Sequence, residues 1–199
     1  MVSVVSPVNY RILRAILTSK TPFTQHEIAA ASGASAPQTS RVVRWLTQNS
    51  GITKTSGGRY QVRGPASILT SLFPYQRSMK DAETAVVDVR GNVPQITEFL
   101  VSEGGILCLE SALSEYSEYY RPSRICAYHI SPGRILSSLS SRAGGIVPVH
   151  LFLPDIPLEG DVEMGRRTSR YRTLVDLVCD GNAYAAKDLF EQLWGIVLD

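Results

Sequence analysis

Ser35-Ala36-Pro37-Gln38-Thr39-Ser40-Arg41-Val42-Val43-Arg44-Trp45-Leu46-Thr47-Gln48, followed by Gly51-Ile52, is the stretch from which the rest of the chain is read. Ser35 with Gln38 three residues later has the capping-box form, in which each side chain satisfies the other residue's exposed amide, and proline is tolerated in a first helical turn. A helix therefore starts at Ala36. Helical spacing places Thr39, Val42 or Val43, and Leu46 on an inward stripe and leaves Pro37, Gln38, Ser40, Arg41 and Arg44 outward. Trp45 reads as core filler.

Upstream, Tyr10, Ile12, Leu13, Ile16 and Leu17 recur at intervals of three and four, predicting a helix from about Val8 to Thr18 that Lys20-Thr21-Pro22 ends. Thr24-Gln25-His26-Glu27 is a second capping box, opening a short helix with Ile28, Ala29 and Ala31 on its apolar face. Gly33 supplies the turn into the helix that starts at Ala36. Downstream, Ile52-Thr53-Lys54-Thr55 and Arg59-Tyr60-Gln61-Val62 are short β-prone runs separated by Ser56-Gly57-Gly58, a hairpin signal.

Helix, short helix, glycine turn, capped helix and hairpin, with Ser40-Arg41-Val42-Val43-Arg44-Trp45-Leu46 followed by Gly51-Ile52, resembles the winged-helix transcription regulators over roughly the first 65 residues. The resemblance implies a partner of double-stranded DNA. A helix of this kind fits the major groove, where Gln38 would pair with adenine and Arg41 or Arg44 with guanine. Ser35 and the helix N-terminus would hold a phosphate, with Pro37 and Ser40 along the same face. Lys54 and Arg59 on the hairpin would reach the neighbouring backbone or minor groove. One short helix reads few bases, so paired half-sites and a homodimer are expected. A merely solvated face is the competing reading for Arg41 and Arg44.

Charge favours the first reading. Residues 1–80 hold ten basic side chains and one acid, Glu27, a net of +9, whereas residues 81–199 hold 10 basic and 17 acidic, a net of −7. Nine excess charges in eighty residues suit a polyanion-binding module joined to an acidic one. Cys108, Cys126 and Cys179 are widely spaced and beside apolar residues, and His26, His129 and His150 are scattered, so no metal site and no cofactor is expected. The first residues lack a signal-peptide pattern and no run of about 18 apolar residues occurs, which makes a cytoplasmic location the expectation.

The expected fold class is α+β: a winged helix-turn-helix domain over 1–63, a linker helix over 64–80, and a small α/β regulatory or dimerisation domain with C-terminal helices over 81–199. Within the last, strands are expected at Ala85–Val89, Arg124–Ile130, Val147–Leu153 and Asp161–Met164, with Pro148 restricting its strand to an edge. Helices are expected at Pro94–Glu103, Ile106–Tyr116, Pro132–Ser141, Tyr171–Cys179 and Ala183–Trp194.

Two features of the acidic half bear on function. Arg166-Arg167-Thr168-Ser169-Arg170-Tyr171-Arg172 is basic, and reads equally as a nucleic-acid patch or as arginines paired with nearby acids. Tyr171-Arg172-Thr173-Leu174-Val175-Asp176-Leu177, followed by Gly181 and Ala185-Ala186, resembles a stretch of the AbiEi-type antitoxins, regulators of viral-defence systems. That resemblance implies an autoregulating repressor, a type IV antitoxin, encoded beside a nucleotidyltransferase-like toxin. Arg172 and Asp176, four apart, read equally as an intrahelical pair. An alternative is a nucleotidyltransferase-like enzyme with a nucleic-acid docking domain, for which Asp161 and Glu163 would be the paired carboxylates and Gly144-Gly145 the upstream glycines. No P-loop, dinucleotide fingerprint, zinc-protease motif or serine elbow occurs, and no catalytic residue is assigned.

Overall fold

The computed structural model describes residues 2–197 and shows a mixed α/β protein with two sheets. The chain forms two compact units, one running through Arg77 and resuming at Phe190, the other Ser78–Leu189. Among the described residues no helix is long and apolar enough to cross a membrane.

The first unit starts with α1 (Pro7–Leu17), whose buried face is Tyr10, Ile12, Leu13, Ile16 and Leu17 together with one polar residue, Asn9. Each aliphatic side chain so buried contributes about 1.5–3 kcal/mol. α2 (Gln25–Ser32) carries the expected capping box between Thr24 and Glu27, and ends where Gly33 turns left-handed at φ 62°. α3 (Ala36–Gln48) buries Thr39, Val42, Val43 and Leu46. β1 (Ile52–Lys54) and β2 (Tyr60–Val62) pair antiparallel, Ile52 opposite Val62, and Phe23 adds a one-residue bridge to Tyr60 on the other side of β2. α4 (Pro65–Leu72) follows, and Ile68, Leu69 and Phe73 are buried. Of the stretch read as a linker, residues 64–77 belong to the first unit and residues 78–80 to the second.

The second unit holds α5 (Met79–Ala82), β3 (Glu83–Val89), α6 (Val93–Ser102), β4 (Ile106–Leu107), α7 (Leu109–Ser114), β5 (Ile125–Tyr128), α8 (Pro132–Leu139), β6 (Val147–Phe152), β7 (Val162–Glu163), β8 (Arg167–Thr168) and α9 (Arg170–Cys179). Its six-stranded sheet has the order β3-β6-β5-β4-β8-β7, with β5 and β6 parallel across α8 and β3 antiparallel to β6. β3 alternates as a half-buried strand should, and Val89 joins Ile96, Leu100, Ile125, Ala127, Ile135, Leu139, Val149 and Leu151 in one core. α10 (Lys187–Trp194) begins in this unit, and from Phe190 the chain counts with the first, where Trp194 Nε1 donates to Leu17 O at 2.6 Å.

The last helix starts at Lys187 and not at Ala183, and three details of the sheet region also differ from the sequence reading. Ile106–Tyr116 is not one helix: Ile106 and Leu107 pair with Tyr128 and Ala127 as β4, and α7 starts only at Leu109, held left-handed at φ 48°. β8 was not expected, because two polar residues carry no periodicity. Pro148 does not put its strand at an edge, since β6 lies between β3 and β5. The missing N–H does no harm there. Asp88, opposite Pro148, has its carbonyl satisfied by the amides of Gly144 and Gly145 at 2.9 and 3.2 Å, and pairing with β5 begins one residue later at Val149.

Candidate nucleic-acid interface

α3 has two faces of opposite chemistry. Thr39, Val42, Val43 and Leu46 are buried, while Pro37, Arg41, Arg44 and Gln48, spaced four, three and four, are exposed on the other side. Eleven residue-to-residue steps of helix put Pro37 and Gln48 about 16 Å apart along the axis. Among the described residues, the side chain of neither Arg41 nor Arg44 makes a hydrogen bond or ion pair. No acid stands in the first turn of α3, so its amide dipoles are uncompensated there.

Ser35 caps α3, its Oγ accepting from the Gln38 amide at 3.4 Å. The return half of the expected capping box is not made. Gln38 instead turns its side chain toward α1, where Nε2 donates to Asn9 Oδ1. Ser40 and Trp45 are half-buried at the margins of the outward face. Asn9 was not singled out in the sequence, although a polar residue between Val8 and Tyr10 on an otherwise apolar stripe is the signal that marks it.

The hairpin contributes unequally. Lys54 is exposed on β1. Arg59 is spoken for: Nη2 donates to both oxygens of Glu27, at 2.7 and 2.6 Å, and Nε to Pro22 O at 2.9 Å. The guanidinium holds the Glu27 carboxyl below its ordinary range, helped by the Thr24 amide. The hairpin cation expected to reach outward is therefore neutralised by the one acid of the first eighty residues. Arg11 is also engaged, donating from Nε to Ser32 O at 3.0 Å and joining α1 to the end of α2.

In the second unit the basic run 166–172 faces acids. Arg166 bridges Glu98 and Glu115 at 2.8 and 3.2 Å, and Arg167 meets Glu115 at 3.3 Å and Glu163 at 4.0 Å. Arg167 and Arg170 lie over the ring of Tyr116, at 4.2 and 4.7 Å from its centre. The Tyr116 hydroxyl donates to Glu163 Oε2 or Thr168 O, at 2.9 and 2.7 Å, and burial together with the Glu163 charge pushes its pKa up. Of the two readings of this run, the paired one describes its geometry.

Arg172 is fully buried. Its Nε donates to Asp176 Oδ1 at 2.9 Å, and Nη2 to the Tyr128 hydroxyl at 3.0 Å and Asp155 Oδ1 at 3.2 Å. The four-residue spacing on α9 thus makes an intrahelical pair that also ties α9 to β5 and to the loop after β6.

The constellation required by the transferase alternative is not assembled. Gly144 and Gly145 lie beside β3, at one edge of the six-stranded sheet, and Glu163 is in β7, at the other. Asp161 is buried and accepts from Ser169 Oγ at 2.9 Å, while Glu163 is taken up by Tyr116 and the arginines. Among the described residues no group of three His, Cys, Asp or Glu is placed to hold a metal ion. Compared with family models, with curated proteins and with solved structures, the chain matches none.

Proposed function

We propose that this protein is a sequence-specific DNA-binding transcription regulator of the winged helix-turn-helix type, with α3 as the reading helix and the β1–β2 hairpin as the wing. The observation that carries the reading is the outward row of Pro37, Arg41, Arg44 and Gln48 on a capped helix, with both arginines unpaired among the described residues of a unit in which basic residues far outnumber acids. Guanidinium groups spaced one helical turn apart suit guanine edges and phosphates along the major groove. The tie between Arg59 and Glu27 shifts the reading burden away from the wing and onto α3.

Acting as a cytoplasmic homodimer on paired half-sites, the protein would obtain from two α3 helices the specificity that one cannot supply. The resemblance of the stretch Tyr171–Leu177 to AbiEi-type antitoxins gives the narrower form, an autoregulating repressor. The test is a low-salt gel shift with the DNA upstream of the protein's own coding region. Wild type is expected to retard it, and Arg41→Ala with Arg44→Ala to weaken binding strongly. Equal retardation by both proteins would remove α3 from the reading role.

A further inference from the structure

We infer that Asn9, on α1, is a positioning residue that fixes which way the Gln38 amide faces and thereby makes Gln38 a reader of adenine and not of guanine. The inference rests on the DNA-reading role proposed for α3. Asn9 is nearly buried, at 6% exposure, and its Nδ2 donates to Ser3 O at 2.9 Å. A backbone carbonyl only accepts, so the Asn9 amide cannot be turned over without losing that bond. Its Oδ1 must then face Gln38. Because Oδ1 also only accepts, Gln38 must offer its Nε2 group, as it does.

Two amides in series thus carry an orientation from the main chain near the N-terminus to the edge of α3's outward face. Gln38 has two N–H groups and one oxygen. With one N–H held by Asn9, it has one oxygen and one N–H left to offer, the complement of the N6–H donor and N7 acceptor that adenine shows in the major groove. Turned over, Gln38 would offer two N–H groups and would suit the O6 and N7 acceptors of guanine. Gln38 is half-buried against Asn9 and lies one turn before Arg41, which places it beside the exposed row.

The experiment is selection of binding sites from random duplexes, followed by affinity measurements on single-base variants, with wild type, Gln38→Ala, Asn9→Ala, Asn9→Asp and the double alanine variant. Wild type is expected to show one adenine whose preference Gln38→Ala removes. Asn9→Ala should cut that preference at least about fivefold, the lower end of what a bidentate base contact discriminates. Asn9→Asp keeps an acceptor toward Gln38 and should restore it, and the double variant should match Gln38→Ala alone. If Asn9→Ala does not fold, the Gln38 side-chain amide resonances of the wild-type protein serve instead, and one N–H shifted and protected by donation to Asn9 is expected. Two solvent-like Gln38 N–H signals, or an adenine preference that Asn9→Ala leaves intact, would overturn the inference while the DNA-reading role stands. Failure of wild type to enrich any sequence would overturn both.

Discussion

Arg59 on the hairpin and Glu27 on α2 meet with Nη2 at 2.7 and 2.6 Å from the two carboxylate oxygens, although 32 residues separate them in sequence. The same Glu27 Oε2 accepts from the Thr24 amide at 2.7 Å, so one carboxylate closes the capping box of α2 and anchors the hairpin. These donors hold its folded pKa below the ordinary value of 4.5. The unfolded chain then binds the proton more readily, and stability rises with pH across the interval below 4.5.

Glu27→Gln should accordingly melt at a lower temperature than wild type at neutral pH, and the gap should close as the pH falls through the folded pKa of Glu27. Thermal melts followed by circular dichroism from pH 7 down to about pH 3 check this, since a carboxyl so shifted loses its contribution only below its unfolded pKa. A gap independent of pH would show that the carboxylate charge is not what stabilises the contact.

Gly145 is predicted to tolerate no side chain. A Cβ there would lie 2.0 Å from Val89 O and 2.2 Å from Arg90 N, both main-chain atoms of β3 and its end. The clash cannot be relieved by a rotamer change, so Gly145→Ala should cost at least about 2 kcal/mol, measured as a lower urea midpoint. Gly133, where an added Cβ would meet nothing within 4 Å, is the control and should accept alanine with little change.

Arg172→Ala should destabilise the protein by about 3–5 kcal/mol, because it leaves the fully buried Asp176 without the cation 2.9 Å away. Arg172→Met combined with Asp176→Leu removes both charges and should recover most of that loss. Urea denaturation of the two variants distinguishes a charge left uncompensated from simple loss of packing.

Local signals made much of the fold legible. The apolar stripe of α1, the Thr24–Glu27 box, Gly33 and the Ser56-Gly57-Gly58 break all act within a few residues, and the elements they predict stand within a residue or two of their expected ends. Distant pairings were not legible. Asn9 and Gln38 are 29 residues apart and Leu17 and Trp194 are 177 apart, so no periodicity announces either contact. The engagement of Arg59 was hidden for the same reason, as were the contacts of Arg166 with Glu98 and of Arg166 and Arg167 with Glu115. Two-residue strands such as β4 and β8 are set by their neighbours in the sheet and leave no pattern of their own.

Fluorescence anisotropy on a duplex selected from a random pool measures whether the outward face of α3 reads a DNA sequence. Wild type should bind the selected duplex at least about a thousandfold tighter than a scrambled one of equal length. Arg41→Ala with Arg44→Ala should collapse that ratio while the melting temperature stays near that of wild type, as both side chains are exposed. Equal affinity of wild type for the two duplexes, or a ratio the double substitution leaves unchanged, would mean that α3 does not read sequence.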